Sequence, residues 1–212
     1  MTVFFFFFIF VNILQSYYKF RAKINSMLID DVRLKSCGGG IYEPLDDSIL
    51  LAKAVEEHAF GRFLDLGTGT GIQGIVAAKA GCEVTFADID EKAVECAKAN
   101  AAANSVSGKF VISDLFDGIK GKFNTIAFNP PYLPSAPIMG MRQREYALDG
   151  GELGRELIDR FLDAYKKYVE EEHIILLVES SLNGYEVDAA ALNAKVTKVH
   201  FSFEDIAVLA FR

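Results

Sequence analysis

Arg62-Phe63-Leu64-Asp65-Leu66-Gly67-Thr68-Gly69-Thr70-Gly71 is the stretch that decides the fold of this 212-residue chain. Its first five residues read as a buried strand, and the glycines that follow read as a sharp turn. Ile72 to Lys79 then reads as a helix, closed by Gly81 in the place of a C-terminal glycine cap. Glycines spaced by two let the backbone turn tightly and approach a ligand closely. The helix start beyond them offers free N–H groups. A strand, a glycine turn and a helix form the first unit of a nucleotide-cofactor fold. Gly69-Thr70-Gly71-Ile72-Gln73-Gly74 matches the dinucleotide fingerprint letter for letter, so spacing alone leaves NAD open. Asp65 speaks against it. A carboxylate two residues before the first glycine repels a pyrophosphate and attracts a ligand that carries an ammonium group.

S-adenosylmethionine is such a ligand, with an ammonium, a sulfonium and no phosphate. The next units fit it as well. Glu83 to Ala87 reads as a second strand ending at Asp88-Ile89-Asp90, where Asp88 is placed to grip ribose hydroxyls. Asp90 reads as the cap of a helix from Glu91 to Asn104, whose first turn is acidic as the helix dipole prefers. Lys109 to Ser113 reads as a third strand running into Asp114-Leu115, a place to meet an adenine amino group and cover the ring. Each aspartate alone is an ordinary turn former. Three at successive strand ends form a joint signal, because ligands of open α/β sheets bind at the carboxyl ends of the strands. Asp65, Gly67, Thr68, Gly69, Gly71, Asp88, Ile89, Asp114 and Leu115 are therefore the candidate cofactor residues.

Asn129-Pro130-Pro131-Tyr132 follows a fourth apolar run, Phe123 to Phe128. Two prolines fix two φ angles and offer no N–H, so the strand must stop there. What remains is a stiff rim with one amide, free carbonyls and one aromatic ring. An asparagine amide both accepts and donates, so it can grip a planar –NH2 group. Tyr132 can stack on the flat face of that group. Asn129, Pro130 and Tyr132 are the candidate catalytic residues. With Pro131 they form the candidate acceptor site, and Asn129 also borders the cofactor. A proline-terminated strand end with a chance asparagine is the plain alternative. The rim suits a glutamine amide and adenine N6 equally.

With these residues the chain resembles the class I S-adenosylmethionine-dependent methyltransferases. It is more closely similar to the HemK-type enzymes that methylate a glutamine of peptide-chain release factors. Three further segments carry the resemblance: Tyr42-Glu43-Pro44-Leu45-Asp46-Asp47-Ser48, Ala87-Asp88-Ile89-Asp90 and Ala147-Leu148-Asp149-Gly150-Gly151-Glu152-Leu153-Gly154-Arg155-Glu156. It covers roughly Leu34 to Arg212 and is best to the short archaeal and eukaryotic form. It implies an α/β fold: a seven-stranded, mostly parallel Rossmann-like sheet, helices on both faces and a C-terminal antiparallel hairpin. It also implies that Ser48 reaches the cofactor. A small zinc-binding activator subunit is implied too, covering an apolar edge at the third strand, where Phe110 and Ile112 alternate. Packing of both residues under a helix is the competing reading.

Composition bounds the rest. The length suits one well-packed domain, and half of the residues are apolar. The formal net charge is −7. Residues 1–26 hold Lys19, Arg21 and Lys23 and no acid, so the domain at 27–212 is more acidic still. That disfavours direct nucleic-acid binding, which rests on Lys and Arg, and favours a protein acceptor. Cys37, Cys82 and Cys96 show no Cys-x-x-Cys spacing and no nearby His, which suits a reducing cytosol and gives no metal site. A cytoplasmic enzyme is expected.

Val3 to Leu14 is apolar except for Asn12. As a helix it spans about 18 Å, short of the roughly 30 Å hydrocarbon core. Residues 1–26 read either as a short anchor or as a start assigned too early, with Met27 the true start; a membrane role follows only from the first.

Further along, Leu45 to His58 reads as a helix over the cofactor cleft with Leu45, Ile49, Ala52 and Val55 on one face. Ile158 to Val169 reads as amphipathic, His173 to Val178 as a central strand and Gly184 to Asn193 as a helix. Val196 to Phe201 and Ile206 to Phe211 read as a hairpin. Ser135 to Tyr146 reads as a loop shaping the acceptor site. Arg142, Arg144 and Arg155 read as a solvated face or as contacts to substrate backbone. The sequence reading is methyl transfer from S-adenosylmethionine to a release-factor glutamine. An adenine-N6 methyltransferase of RNA or DNA is one alternative, and a non-enzymatic or NAD-linked binding protein, against which Asp65 speaks, is the other.

Overall fold

The computed structural model of the protein describes residues 29–132 and 150–212, apart from 30, 39, 152 and 202. Residues 1–26, the loop at 135–146, Arg142 and Arg144 lie outside the described residues.

The apolar runs form one sheet: β1 (Arg62–Leu66), β2 (Glu83–Asp88), β3 (Lys109–Ile112), β4 (Phe123–Phe128), β5 (Val169–Ser180), β6 (Lys195–His200) and β7 (Asp205–Phe211). Their order is β3-β2-β1-β4-β5-β7-β6. The first five strands are mutually parallel, while β7 runs antiparallel to both β5 and β6. This is the expected α/β sheet with its terminal hairpin. The chain winds outward from β1 to β3 and returns to place β4 on the other side of β1. That reversal opens a crevice at the carboxyl ends of β1 and β4.

The helices are α1 (Asp46–His58), α2 (Ile72–Lys79), α3 (Glu91–Ala103), α4 (Glu156–Ala164) and α5 (Tyr185–Ala191). Right-handed crossovers place α2 and α3 on one face. The β4-to-β5 connection runs the opposite way, so α4 lands on the other. There Phe161 is fully buried, 5.1 Å from the Phe128 ring and 5.7 Å from the Phe116 ring. Central strands are covered on both faces, hence continuously apolar: Phe63, Leu64, Ile126, Leu176 and Val208 are buried. Gly74 lets α2 settle on β2, since a Cβ there would lie 2.2 Å from the Phe86 ring.

Three expectations need correction. β5 begins at Val169, because Val169 pairs with Phe123 across a register shift, so the polar Glu170–Glu172 run belongs to the strand. The amphipathic stretch accordingly ends as α4 at Ala164 plus a 3₁₀ turn at Tyr165–Lys167. α1 buries Leu51, Ala52 and Val55, and Leu45 is 52% exposed, because the helix packs on α2 as well as on β5 and β7. Finally, Cys37 and Cys96 are joined in a disulfide. Residues 59 apart in sequence carry no local spacing signal for such a pair.

Candidate active site

A cavity of about 520 Å³ fills the crevice. Its floor comes from the β1 turn (Asp65 to Thr70), Asp88-Ile89-Asp90 after β2, Ser113-Asp114-Leu115 after β3, and Phe128, Asn129 and Pro131 after β4. Tyr42, Pro44 and Ser48 close it from the side of α1, and Leu157 and Arg160 from α4.

The glycine turn is wound around Asp65. This carboxylate is 1% exposed, and its Oδ2 accepts from Thr68 Oγ1 at 2.7 Å and from the Gly74 amide at 2.9 Å. Burial outweighs both bonds and pushes its pKa up to about 7. Asp88 ties the second strand end to the same turn: Oδ2 accepts from the Gly69 amide at 2.9 Å and Oδ1 from the Asp90 amide at 3.0 Å. Burial pushes its pKa up as well, against those bonds. Asp90 caps α3, accepting from the Lys92 amide at 2.9 Å. Gly67 and Gly69 hold φ of 64° and 52°, which glycine adopts without strain. Gly71 does not line the cavity. A Cβ there would lie 3.1 Å from Ala97, so this glycine admits α3 against the turn instead of meeting a ligand. Leu115 lines the cavity with φ at 45°, and its carbonyl accepts from Ser113 Oγ at 2.8 Å. A leucine held there is the kind of local strain that clusters at ligand sites.

The wall chemistry suits a cationic, hydroxyl-rich ligand better than a phosphate. Asp65, Asp88 and Asp114 are carboxylates, and Ile89, Leu115 and Phe128 offer apolar cover. Gln73 donates Nε2–H to the Ser48 carbonyl at 2.9 Å, while its buried Oε1 has no hydrogen-bond partner among the described residues. That oxygen is an acceptor waiting for an N–H or O–H. Arg160, the cation on this wall, pairs with Asp114 at 3.0 Å.

The rim beyond β4 centres on an aspartate that sequence reasoning passed over. Asp47, 2% exposed in the first turn of α1, accepts from Asn129 Nδ2 at 3.1 Å and from Tyr132 Oη at 3.2 Å. Tyr42 Oη donates to both of its oxygens, at 3.0 and 2.9 Å. Burial and then the Asp47 charge push the pKa of both phenols up, so both remain donors. The Asn129 Oδ1 is buried and without a partner among the described residues. Tyr132 is buried in the core with its hydroxyl turned to Asp47. It does not line the cavity, and neither does Pro130, so the expected stacking face is turned inward. The Gly-Gly-x-x-Gly-Arg segment buttresses this rim. A Cβ on Gly150 would lie 2.7 Å from the Pro131 carbonyl. Asn183 Nδ2 donates to the Tyr132 carbonyl at 3.3 Å, and Arg155 holds the Asn183 carbonyl at 2.9 Å and Asp188 at 2.8 Å. Arg155 is thus a staple between α4 and α5, neither a solvated charge nor a free substrate contact.

Residues 43–139 match the Methyltransferase small domain family. A Methanocaldococcus jannaschii protein named as a protein N5-glutamine methyltransferase is 37% identical over 177 residues, which cover 80% of this chain and 90% of that one. Methyltransferase HEMK2 of Mus musculus is 33% identical, over 69% of this chain and 74% of its own. The chain belongs to the HemK family of S-adenosylmethionine-dependent methyltransferases. Among solved structures, the E. cuniculi Mtq2-Trm112 complex, which methylates the translation termination factor eRF1, superposes with a TM-score of 0.64 at 26% identity, covering 82% of this chain and 98% of that one.

In this HemK-family chain the fold gathers Ser48, Asp65, Gly67, Thr68, Gly69, Asp88, Ile89, Asp114, Leu115, Asn129 and Pro131 around one cavity. Gly71, Pro130 and Tyr132 stand behind its wall. Asp47, Gln73 and Arg160 were missed. Asp47 lay in the Tyr-Glu-Pro segment next to Ser48, but its partner Asn129 is 82 residues away. Neither residue's neighbours in sequence announce the pairing.

Proposed function

We infer that this methyltransferase modifies the side-chain amide nitrogen of a glutamine in a peptide-chain release factor. The observation that carries the reading is Asn129 on the cavity wall, whose buried Oδ1 has no hydrogen-bond partner among the described residues. A buried carbonyl left without a donor costs about 1–3 kcal/mol, which an incoming –NH2 relieves. The name of the M. jannaschii relative, the substrate of the E. cuniculi enzyme and the acidic composition support glutamine over a nucleic-acid base.

The bound cofactor supplies a methyl group activated on a positively charged sulfur. Asp65, Gly67, Thr68, Gly69 and Gln73 would hold its amino-acid end, Asp88 and Ile89 its ribose, and Asp114 and Leu115 its base, with Ser48 closing from α1. Asn129 Oδ1 would accept an amide N–H of the acceptor, while Pro130, behind the cavity wall, only fixes the backbone that presents it. An amide nitrogen is a poor nucleophile because its lone pair is delocalised, and a hydrogen bond from its N–H to the Asn129 carbonyl returns density to it. Pro131 keeps the rim stiff. Aligned, desolvated reactants carry much of the rate.

A second subunit completes the reading. β3 is an edge strand whose Ile112 is 54% exposed, and an apolar edge invites pairing. The E. cuniculi neighbour is solved with Trm112. We place a small zinc-binding activator on this edge and the enzyme in the cytoplasm, where release factors act.

A transfer assay with labelled cofactor tests the function. Purified release factor should take up label, and release factor with its glutamine replaced, tRNA and DNA should not. Asn129→Ala should lower turnover on the order of 100- to 1000-fold, as loss of one preorganised polar contact does elsewhere. Its affinity for S-adenosylhomocysteine should stay nearly unchanged. Label on tRNA or DNA, or equal loss of turnover and affinity, would overturn the reading.

A further inference from the structure

We propose that Asp47 is a positioning residue that decides which way round the Asn129 amide sits. The proposal rests on the role given to Asn129 above. An asparagine amide has an oxygen and an –NH2 of nearly equal size, so shape alone does not choose between its two orientations. The choice matters here. With Oδ1 toward the acceptor, the acceptor –NH2 finds an acceptor atom. In the flipped orientation it meets a second –NH2, donor against donor.

Asp47 removes the ambiguity. An ionised carboxylate only accepts, so the atom of Asn129 that lies 3.1 Å from Asp47 Oδ2 must be the nitrogen. Oδ1 then has to face the other way, and it is the buried atom without a hydrogen-bond partner among the described residues. Flipping the amide would set Oδ1 against the carboxylate. The carboxylate cannot swing aside to allow this. Tyr42 Oη donates to both of its oxygens, Tyr132 Oη donates at 3.2 Å and Ser48 Oγ at 3.1 Å. Asp47 is itself 2% exposed, so its charge acts in a medium of low dielectric. An N–H bonded to such a charge also polarises the amide and leaves Oδ1 the stronger acceptor. The two tyrosines thereby gain a function as well: they hold the carboxylate that holds the asparagine.

Asp47→Asn tests this, because it keeps the shape and removes the charge. An asparagine at 47 can face Asn129 with either end, so the orientation is no longer dictated. Expected are a kcat lowered about 10- to 100-fold, the loss of one charge-assisted contact, a much smaller change in KM for the release factor, and unchanged affinity for S-adenosylhomocysteine. The side-chain amide signals of Asn129, assigned in ¹⁵N spectra by their absence from Asn129→Ala, should shift and exchange faster with water. An unchanged kcat, or affinity for S-adenosylhomocysteine falling in step with kcat, overturns the proposal. Should Asp47→Asn not fold, the unsubstituted protein decides: protected, downfield Asn129 amide protons support the proposal, and protons exchanging like those of a solvent-exposed asparagine overturn it. The spectroscopic arm needs no acceptor. If the enzyme labels no release factor, the proposed acceptor fails while the orientation of Asn129 is still read.

Discussion

Asp65 sits where two demands meet. The turn needs an acceptor for Thr68 Oγ1 and the Gly74 amide, and a cationic ligand needs a negative charge nearby. Burial resists that charge and brings the pKa to about 7, against about 3.9 for a free aspartate. A carboxyl raised by folding stabilises the protein fully below its unfolded pKa, and that contribution is lost as pH rises through the folded one. The fold should therefore lose stability between roughly pH 4 and 7 through this group. Asp65→Asn, neutral at every pH, should not. In urea unfolding at pH 5 and pH 8, the stability difference between the original protein and Asp65→Asn should shift on the order of 2–3 kcal/mol against the aspartate at the higher pH. Asp88 titrates in both proteins, and its charge is the smallest of the causes that shift Asp65. Parallel pH curves would mean that Asp65 is ionised throughout.

At the scale of elements, β3 is the exposed end of the sheet. Phe110 is anchored by stacking on Phe86 with ring centroids 4.8 Å apart, while Ile112, two residues on near the strand end, is exposed. Phe110 thus packs inward, as the covered reading expects, and Ile112 is left exposed. If an activator covers the edge, Ile112→Glu should leave the isolated enzyme folded and abolish co-purification with the activator and its stimulation of turnover. A chain that is soluble, monomeric and fully active alone would sink the partner. Elements of this kind were legible because they are local. The β1 turn, α2, the cap at Asp90 and the β6–β7 hairpin each announce themselves within one short contiguous stretch. The start of β5 at Val169 was not legible, because pairing with Phe123 overrides the local polarity of Glu170–Glu172. The cofactor side of the site was legible from carboxylates at strand ends. The acceptor side was only half so: Asn129 was visible, but Asp47 and the Arg155 staple act across distances that sequence spacing does not encode.

The whole molecule adds a strap. Before α1, residues 31–38 cross α3, and Gly40, Ile41, Tyr42 and Pro44 form one wall of the cavity. Asn100 of α3 and Asn104, the residue that caps its C-terminus, hold the strap. Asn104 Oδ1 accepts from the Arg33 amide and Asn100 Oδ1 from the Lys35 amide, both at 2.9 Å. Asn100 is fully buried, and its Nδ2 donates to the Thr70 carbonyl at 3.0 Å, so one side chain joins the strap to the glycine turn. The Cys37–Cys96 disulfide closes a 59-residue separation over the same contact. On chain-entropy grounds such a loop constrains the unfolded state by about 4 kcal/mol. A reducing compartment opens such bonds. The asparagine bonds would then hold the strap alone, and Tyr42, a support of Asp47, would be the part of the site most exposed to its loosening. Reduction by dithiothreitol, or Cys37→Ser, should lower Tm on the order of 10 °C for a domain of this size. It should also weaken S-adenosylhomocysteine binding, measured calorimetrically, while Cys82→Ser should do neither. Equal Tm with and without reductant would show that Asn100 and Asn104 suffice, and that the disulfide adds nothing to the wall of the site.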